Sequence, residues 1–256
     1  MSYQTILYDL SDSVATITLN RPQRMNALSI ELLKELAQAI GQAEAEGARA
    51  LVLTGSGTVF CSGADLLDGM PDDLGVLLDA YYHPVVNALA EIDFPVVVAI
   101  NGPAVGAGLS LALAGDIVLM ARSAYLLIGF ANIGLVPDAG AHWRGAKSAG
   151  RAKALKMALL AEKVSAEQAL DYGLVSETVE DGELAETARV IAKRFAQGPS
   201  IALGFIRKQV AAALNSTLAE TLDIEKANQA AAGRTRDFRE AATAFAEKRK
   251  PEFRGE

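Results

Sequence analysis

The sequence predicts an α/β fold with several crossover units, followed by a helical tail. Three observations carry the prediction. Short β-branched and aromatic runs alternate with helical patterns through the first half of the 256-residue chain. The order strand, helix, strand recurs there, as crossover connections between strands of one sheet require. After about residue 146 the strand signals become sparse, and helical patterns separated by glycine, serine and short polar turns take over.

Taken in order, residues 4 to 19 hold two strand-like runs, "TILYDL" and "VATITL", split by the turn-like "SDS", which reads as a hairpin. "NRPQRMNALS" breaks the second strand. In "SIELLKELAQAIGQAEAEG", Ile30, Leu33, Leu36, Ala37 and Ile40 recur at helical spacing, with Ser29 as N-cap and Gly47 as stop. "ARALVLTG" follows as a buried strand. A helix through "LDAYYHPVVNALAEI" and a strand "PVVVAING" repeat the unit. The middle alternates glycine-rich loops with short helices and strands: "NGPAVGAGLSLALAGD", "IVLMA", then "IGFANIGLVPDAGAHW". In that last loop, shaped by His142 and Trp143, Asp138 is the only acid. "RAKALKMALLAE", "SAEQALDYG", "ELAETARVIAKRFAQG", "SIALGFIRKQVAAAL" and "TLAETLDIEKANQAAAG" are helical patterns. The chain divides into a strand-rich core, residues 1–195, and a C-terminal helical region, residues 196–256. The helices are rich in alanine, which favours close packing on the core or on another subunit.

A chain of this length buries a proper core without disulfides. Its lone cysteine, Cys61, has no intramolecular partner, so a reducing, cytoplasmic setting is expected. "MSYQTILYDL" lacks a basic leader followed by an apolar run. The longest apolar runs are strand-sized, short of the roughly 20 residues of a membrane helix, so a soluble protein is expected. Acids and bases are interleaved at a net charge of −7, which gives no nucleic-acid footprint. The basic clusters "NRPQR" and "EKRKPEFRG" read either as solvated charge or as spots for a phosphorylated ligand. No His/Cys/Asp cluster has metal spacing, so no metal is expected.

Two glycine-bearing segments, "GSGTVFCSGADL" (55–66) and "NGPAVGAGLSLALAGD" (101–116), each follow a predicted strand. The second runs into a helix start, where backbone N–H groups lack partners. Such donors stabilise a developing oxyanion. The segments supply Ala64 and Ala107, where small residues let a carbonyl approach the backbone. Each segment alone also reads as a plain turn, and "GAGLS" lacks the full phosphate-loop or dinucleotide pattern.

The ordered set "NRPxxxNAL", "FCSGADL", "INGxAxGAGxxLALAGDI", "GLVPDAG", "SAEQALDYGLV" and "EKRKPEF" resembles the crotonase superfamily, the enoyl-CoA hydratase/isomerase family, from about residue 5 to the C-terminus. The resemblance implies a crotonase-like fold of repeated β-β-α units with a C-terminal helical trimerisation region. It implies a homotrimer or a dimer of trimers, an acyl-CoA thioester as substrate, and no further cofactor. In that family two amides hold the thioester oxygen, and they map onto Ala64 and Ala107. The two glutamates of the hydratases map onto Ser110 and Phe130, neither of which can act as an acid–base pair on water. "PDAG" resembles the site where isomerases of the family carry a proton-transferring acid, both the Δ3,Δ2-enoyl-CoA isomerases and, more closely, the ring-epoxide isomerases of phenylacetyl-CoA breakdown. That implies an acyl-CoA isomerase, moving a double bond or rearranging a ring-derived acyl group, with Asp138 as proton shuttle. Without the resemblance the same residues read as a turn stabilised by the Asp138 side chain.

Further positions follow from the same resemblance. "YYHPVV" is similar to the "WWH" region of 4-chlorobenzoyl-CoA dehalogenase, so His83 is either a second catalytic group beside Asp138 or a structural histidine. Phe130 implies an aromatic wall. Arg24, Asp65, Leu66, Lys250 and Phe253 match positions that border or reach CoA, or are solvated surface residues. Cys61 reads as a buried packing residue. The competing functions are an enoyl-CoA hydratase, a His83/Asp138 acyl-CoA hydrolase or dehalogenase-like enzyme, and a non-catalytic acyl-CoA-binding or RNA-associated member. The acidic net charge speaks against RNA.

Overall fold

The hairpin is the first element to form from local rules. Strands β1 (Ile6–Ser11) and β2 (Val14–Leu19) pair antiparallel through Asp12 and Ser13. Both turn residues are left-handed, at φ 52° and 60°, the geometry whose twist matches two right-twisted strands. The computed structural model describes residues 3–67 and 73–256, so the first two residues of the N-terminal stretch lie outside the described residues.

Helix α1 (Ile30–Ala45) is capped by Ser29, whose side chain accepts from the Leu32 N–H at 3.2 Å. Its buried stripe is Leu32, Leu33, Leu36, Ala39, Ile40 and Ala43. Ile30, expected on that stripe, is exposed at the helix start. Strand β3 (Ala50–Gly55) follows, then a helical rod in three parts: α2 (Leu74–Leu77), a π-helical turn (Leu78–Tyr82) and α3 (His83–Glu91). The rod begins four residues before the helix expected from sequence, because the Asp73 side chain accepts from Gly75 N and Val76 N and caps it there.

Strands β4 (Val96–Ile100), β6 (Ile117–Ala121) and β9 (Glu177–Val179) complete a six-stranded sheet in the order β1-β2-β3-β4-β6-β9, parallel from β2 onward. Every residue of β4 is buried, as a central strand covered on both faces must be. A small second sheet holds β5 (Ala104–Val105), β7 (Tyr125–Leu127) and β8 (Val164–Ser165). Main-sheet strand, small-sheet strand and helix therefore recur: β4, β5, α4 (Ala107–Ala112), then β6, β7, α5 (Ala141–Leu160). This is the repeated β-β-α architecture.

Helix α5 begins ten residues before the pattern that announced it and breaks at Gly150 (φ 78°, ψ 163°). His142 and Trp143 lie in its first turn and not in the preceding loop. Helix α6 (Ala166–Asp171) opens on a capping box between Ser165 and Gln168. Helix α7 (Leu184–Ala196) lays Leu184, Ala188, Ala192 and Ala196 against β3, β4 and β6. Beyond it, α8 (Ser200–Ala213) buries only Gly204, and α9 (Leu218–Ala232) buries nothing. A last helix, α10 (Arg236–Glu247), absent from the sequence reading, is capped by Thr235. Among the described residues no helix is long and apolar enough to cross a membrane.

Candidate active site

The site forms where the segments following β3 and β4 are stitched together. Asn26, fully buried, donates to the carbonyls of Ser56 (2.9 Å) and Val59 (2.7 Å) and accepts from Arg21 N, which fixes the chain leaving β3. Cys61 N donates to Pro103 O and Val105 N to Cys61 O, so residues 61–64 run beside 104–107. Two glycines make that approach possible. A Cβ on Gly63, at φ 96°, would stand 2.9 Å from Val105 O, and one on Gly108 would stand 2.5 Å from Cys61 O.

The stitching leaves two amides free. Neither Ala64 N nor Ala107 N donates to a backbone carbonyl among the described residues, and both residues line a cavity of about 430 Å³. The N–H groups of Ala64 and Ala107, predicted as a pair from sequence, are thus brought to one cavity. Phe130 also lines it, its ring beside Gly106 at the turn that presents Ala107. It forms the aromatic wall.

Asp138 lines the same cavity, and among the described residues it is the only carboxylate that does. It ends the loop at the start of α5, where its backbone carbonyl accepts from Ala141 N (3.0 Å) and from the Ser110 hydroxyl (2.9 Å). Ser110 lies on α4 and is fully buried. The neighbouring Ala139 is left-handed at φ 48°, a conformation that costs a non-glycine residue about 1–2 kcal/mol. The Asp138 Oδ1 atom is buried without a hydrogen-bond partner among the described residues. Burial raises its carboxyl to about 6, and the nearby His83 works in the opposite direction.

His83 faces this cavity too. Its Nδ1 is held 2.8 Å from Asp79 Oδ1, one helical turn back. Leu66 lines the cavity mouth, half-exposed. The remaining expectations are placed differently. Asp65 is buried, clamped by Arg21 Nη1 (2.8 Å) and Arg24 Nη2 (2.9 Å), so its carboxylate is a structural anchor and does not line the cavity. Arg24 is spent partly on that anchor, with about a third of its side chain exposed (35%). Phe253 and Lys250 do not line the cavity. The Phe253 carbonyl accepts from Arg49, the residue before β3, and so sits at the amino-terminal end of the parallel strands, opposite the cavity. Cys61 is fully buried and its thiol is pushed up to about 12, which suits packing and not nucleophilic attack.

Two lining or supporting residues escaped the sequence reading. Ser110 was recognised only as a missing glutamate, whereas its hydroxyl holds the Asp138 turn. Tyr82, nearly fully buried, lines the cavity beside His83; a tyrosine in an apolar helix reads as core packing.

The chain matches the enoyl-CoA hydratase/isomerase family over residues 9–256. It is 43% identical to the 1,2-epoxyphenylacetyl-CoA isomerase of Escherichia coli K12, over 98% of each chain. It is 45% identical, over 100% of each chain, to a Rhodobacter capsulatus protein named "Probable enoyl-CoA hydratase". The crystal structure of an enoyl-CoA hydratase from Bacillus anthracis superposes with a TM-score of 0.94 at 32% identity, covering 99% of this chain and 100% of that one.

Proposed function

The chain belongs to the enoyl-CoA hydratase/isomerase family, and from that premise we propose that it is an acyl-CoA isomerase with Asp138 as its proton carrier. The observation that carries this reading is a carboxylate with an unpartnered oxygen, the one carboxylate among the described residues of a mostly apolar cavity that also holds two free amides. The amides of Ala64 and Ala107 donate to the thioester oxygen. The Asp138 carboxylate takes a proton from the acyl carbon beside the thioester, the C–H electrons pass into the enolate, and the same carboxyl returns the proton farther along the chain. Each well-placed oxyanion donor contributes about 2.7–4 kcal/mol, and a positioned base about 10²–10⁴-fold. Addition of water in the manner of the hydratases uses two carboxylates, and no carboxylate other than Asp138 lines the cavity among the described residues; His83 is the other candidate there for meeting a water.

The thioester is the substrate and no further cofactor is invoked. Arg24, beside the cavity-lining segment, is the chain's own candidate for the CoA phosphates. The test is conversion of 3-hexenoyl-CoA to the 2-enoyl isomer by wild type and Asp138→Asn, read by chromatography with mass spectrometry. A loss of about 10²-fold or more is expected in the variant, with no change of product mass. Equal rates would remove Asp138 from the mechanism, and a product heavier by one water would replace isomerisation with hydration.

A hydrolytic reading rests on one observation: His83 and Asp138 share the cavity, and with Nδ1 on Asp79, His83 Nε2 has no hydrogen-bond partner among the described residues. Release of free CoA from aromatic or enoyl thioesters, abolished in His83→Gln, would favour it over isomerisation.

A further inference from the structure

Tyr82 has no task in the mechanism above. It closes the π-helical turn Leu78–Tyr82, a distortion that recurs at functional positions in helices. It is 5% exposed, it lines the cavity, and its hydroxyl makes no hydrogen bond to any described residue. The residue is buried while its hydroxyl is not among the enclosed unpartnered atoms, so the phenol oxygen reaches the cavity space and takes its partner from whatever fills it. Beside His83 and Asp138, much of the lining is aliphatic or aromatic, with Leu74, Leu77, Leu78, Phe130 and Ile133 among it. A hydrocarbon acyl chain would fill that space and leave the phenol unsatisfied. The charge of Asp138 reaches Tyr82 and, after burial itself, helps to keep the phenol protonated, so it stands as a donor near the proton carrier.

We propose that the Tyr82 hydroxyl donates a hydrogen bond to an oxygen borne by the acyl group, and so selects oxygen-bearing acyl thioesters over hydrocarbon ones of equal length. The inference rests on the reading of the cavity as an acyl pocket. A neutral donor pairs with a hydroxyl, ether or carbonyl oxygen equally well, so the recognised class is an oxygenated acyl chain or ring. A site built to pair with a polar group discriminates strongly against the analogue that lacks it, because the protein's own group is then left unmatched.

Unreactive analogues separate this claim from the isomerase claim. Hexanoyl-CoA, its ether isosteres 3-ethoxypropanoyl-CoA and 4-methoxybutanoyl-CoA, and 5-oxohexanoyl-CoA are titrated calorimetrically into wild type and Tyr82→Phe. The expected result is a loss of about tenfold in affinity for at least one oxygenated analogue in the variant, with hexanoyl-CoA changed less than about twofold. Hexanoyl-CoA binding also reports that the variant is folded. A uniform change across all four thioesters, or none, overturns the proposal. So does an equal shift of the kcat/KM pH profile for every substrate, which would make Tyr82 a positioning residue for Asp138. Should wild type bind these analogues yet fail to isomerise 3-hexenoyl-CoA, the isomerase reading falls while the Tyr82 comparison still stands or falls by its own numbers.

Discussion

Asp138 differs from an ordinary surface aspartate in that the fold makes its charge expensive. Its carboxyl is raised from 3.8 to about 6, chiefly by burial. The consequences for stability and for activity run in opposite directions. The protonated form is the one the fold favours, so this group's contribution to stability is complete at low pH and is lost as pH rises through about 6. The carboxylate is the form that accepts a proton, so kcat/KM for isomerisation should rise with unit slope and level off above about 6. Thermal melts check the first half: Asp138→Asn, uncharged throughout, should gain on wild type between about pH 4 and pH 6 and hold that gain above it. A flat difference across that range would mean that the carboxylate is solvated. Asp138 and Phe130 were reached through the resemblance of their loop to the family's motif, since glycine and proline punctuation around a single acid reads by itself as a turn. The burial of Asp65 was not legible, since the arginines that hold it lie some forty residues earlier in the chain, and Tyr82 was passed over, since its orientation depends on a π turn that no periodicity announces.

Elements explain why the two halves of the site hold register. Helix α4 presents Ala107 and, one turn later, Ser110; the Ser110 hydroxyl reaches the carbonyl of Asp138 at the start of α5. One short helix therefore places the oxyanion donor and tethers the proton carrier. Removing the tether in Ser110→Ala deletes a buried hydrogen bond worth about 0.5–1.5 kcal/mol. We expect kcat to fall about tenfold with KM little changed, because the thioester grip at Ala64 and Ala107 stays intact. A rise in KM at constant kcat would place Ser110 in substrate binding. The hairpin, α1, β3, β4 and β6 could be read from β-branched runs, helical spacing and a serine cap. Strands β5, β7 and β8 have only two or three residues each, too few for alternation to register. The start of α5 was hidden by glycines at 140, 145 and 150, and α10 by its charged, alanine-rich face.

At the scale of the whole molecule, the last helices are short of a partner. On α8 and its C-cap, Ile206, Val210 and Leu214 form an exposed stripe at spacing four, and α9 exposes Leu218 and Leu222 while burying none of its residues. Isolated helices of this length are marginal in water, and α9 packs chiefly on α8. Covering that stripe with a second copy would supply the missing burial, at about 25 cal/mol for each Å² of apolar surface. We propose a homotrimer or a dimer of trimers, a closed symmetric assembly in which every copy buries the same stripe. Sedimentation velocity should give three or six times the 26.9 kDa chain mass. The double variant Val210→Glu, Leu214→Glu should release smaller species, since burying two unpaired carboxylates costs several kcal/mol per copy. A wild type that sediments as a monomer at micromolar concentration would leave the stripe uncovered and overturn the assembly; a monomer that keeps full isomerase activity would show in addition that each cavity is complete within one chain.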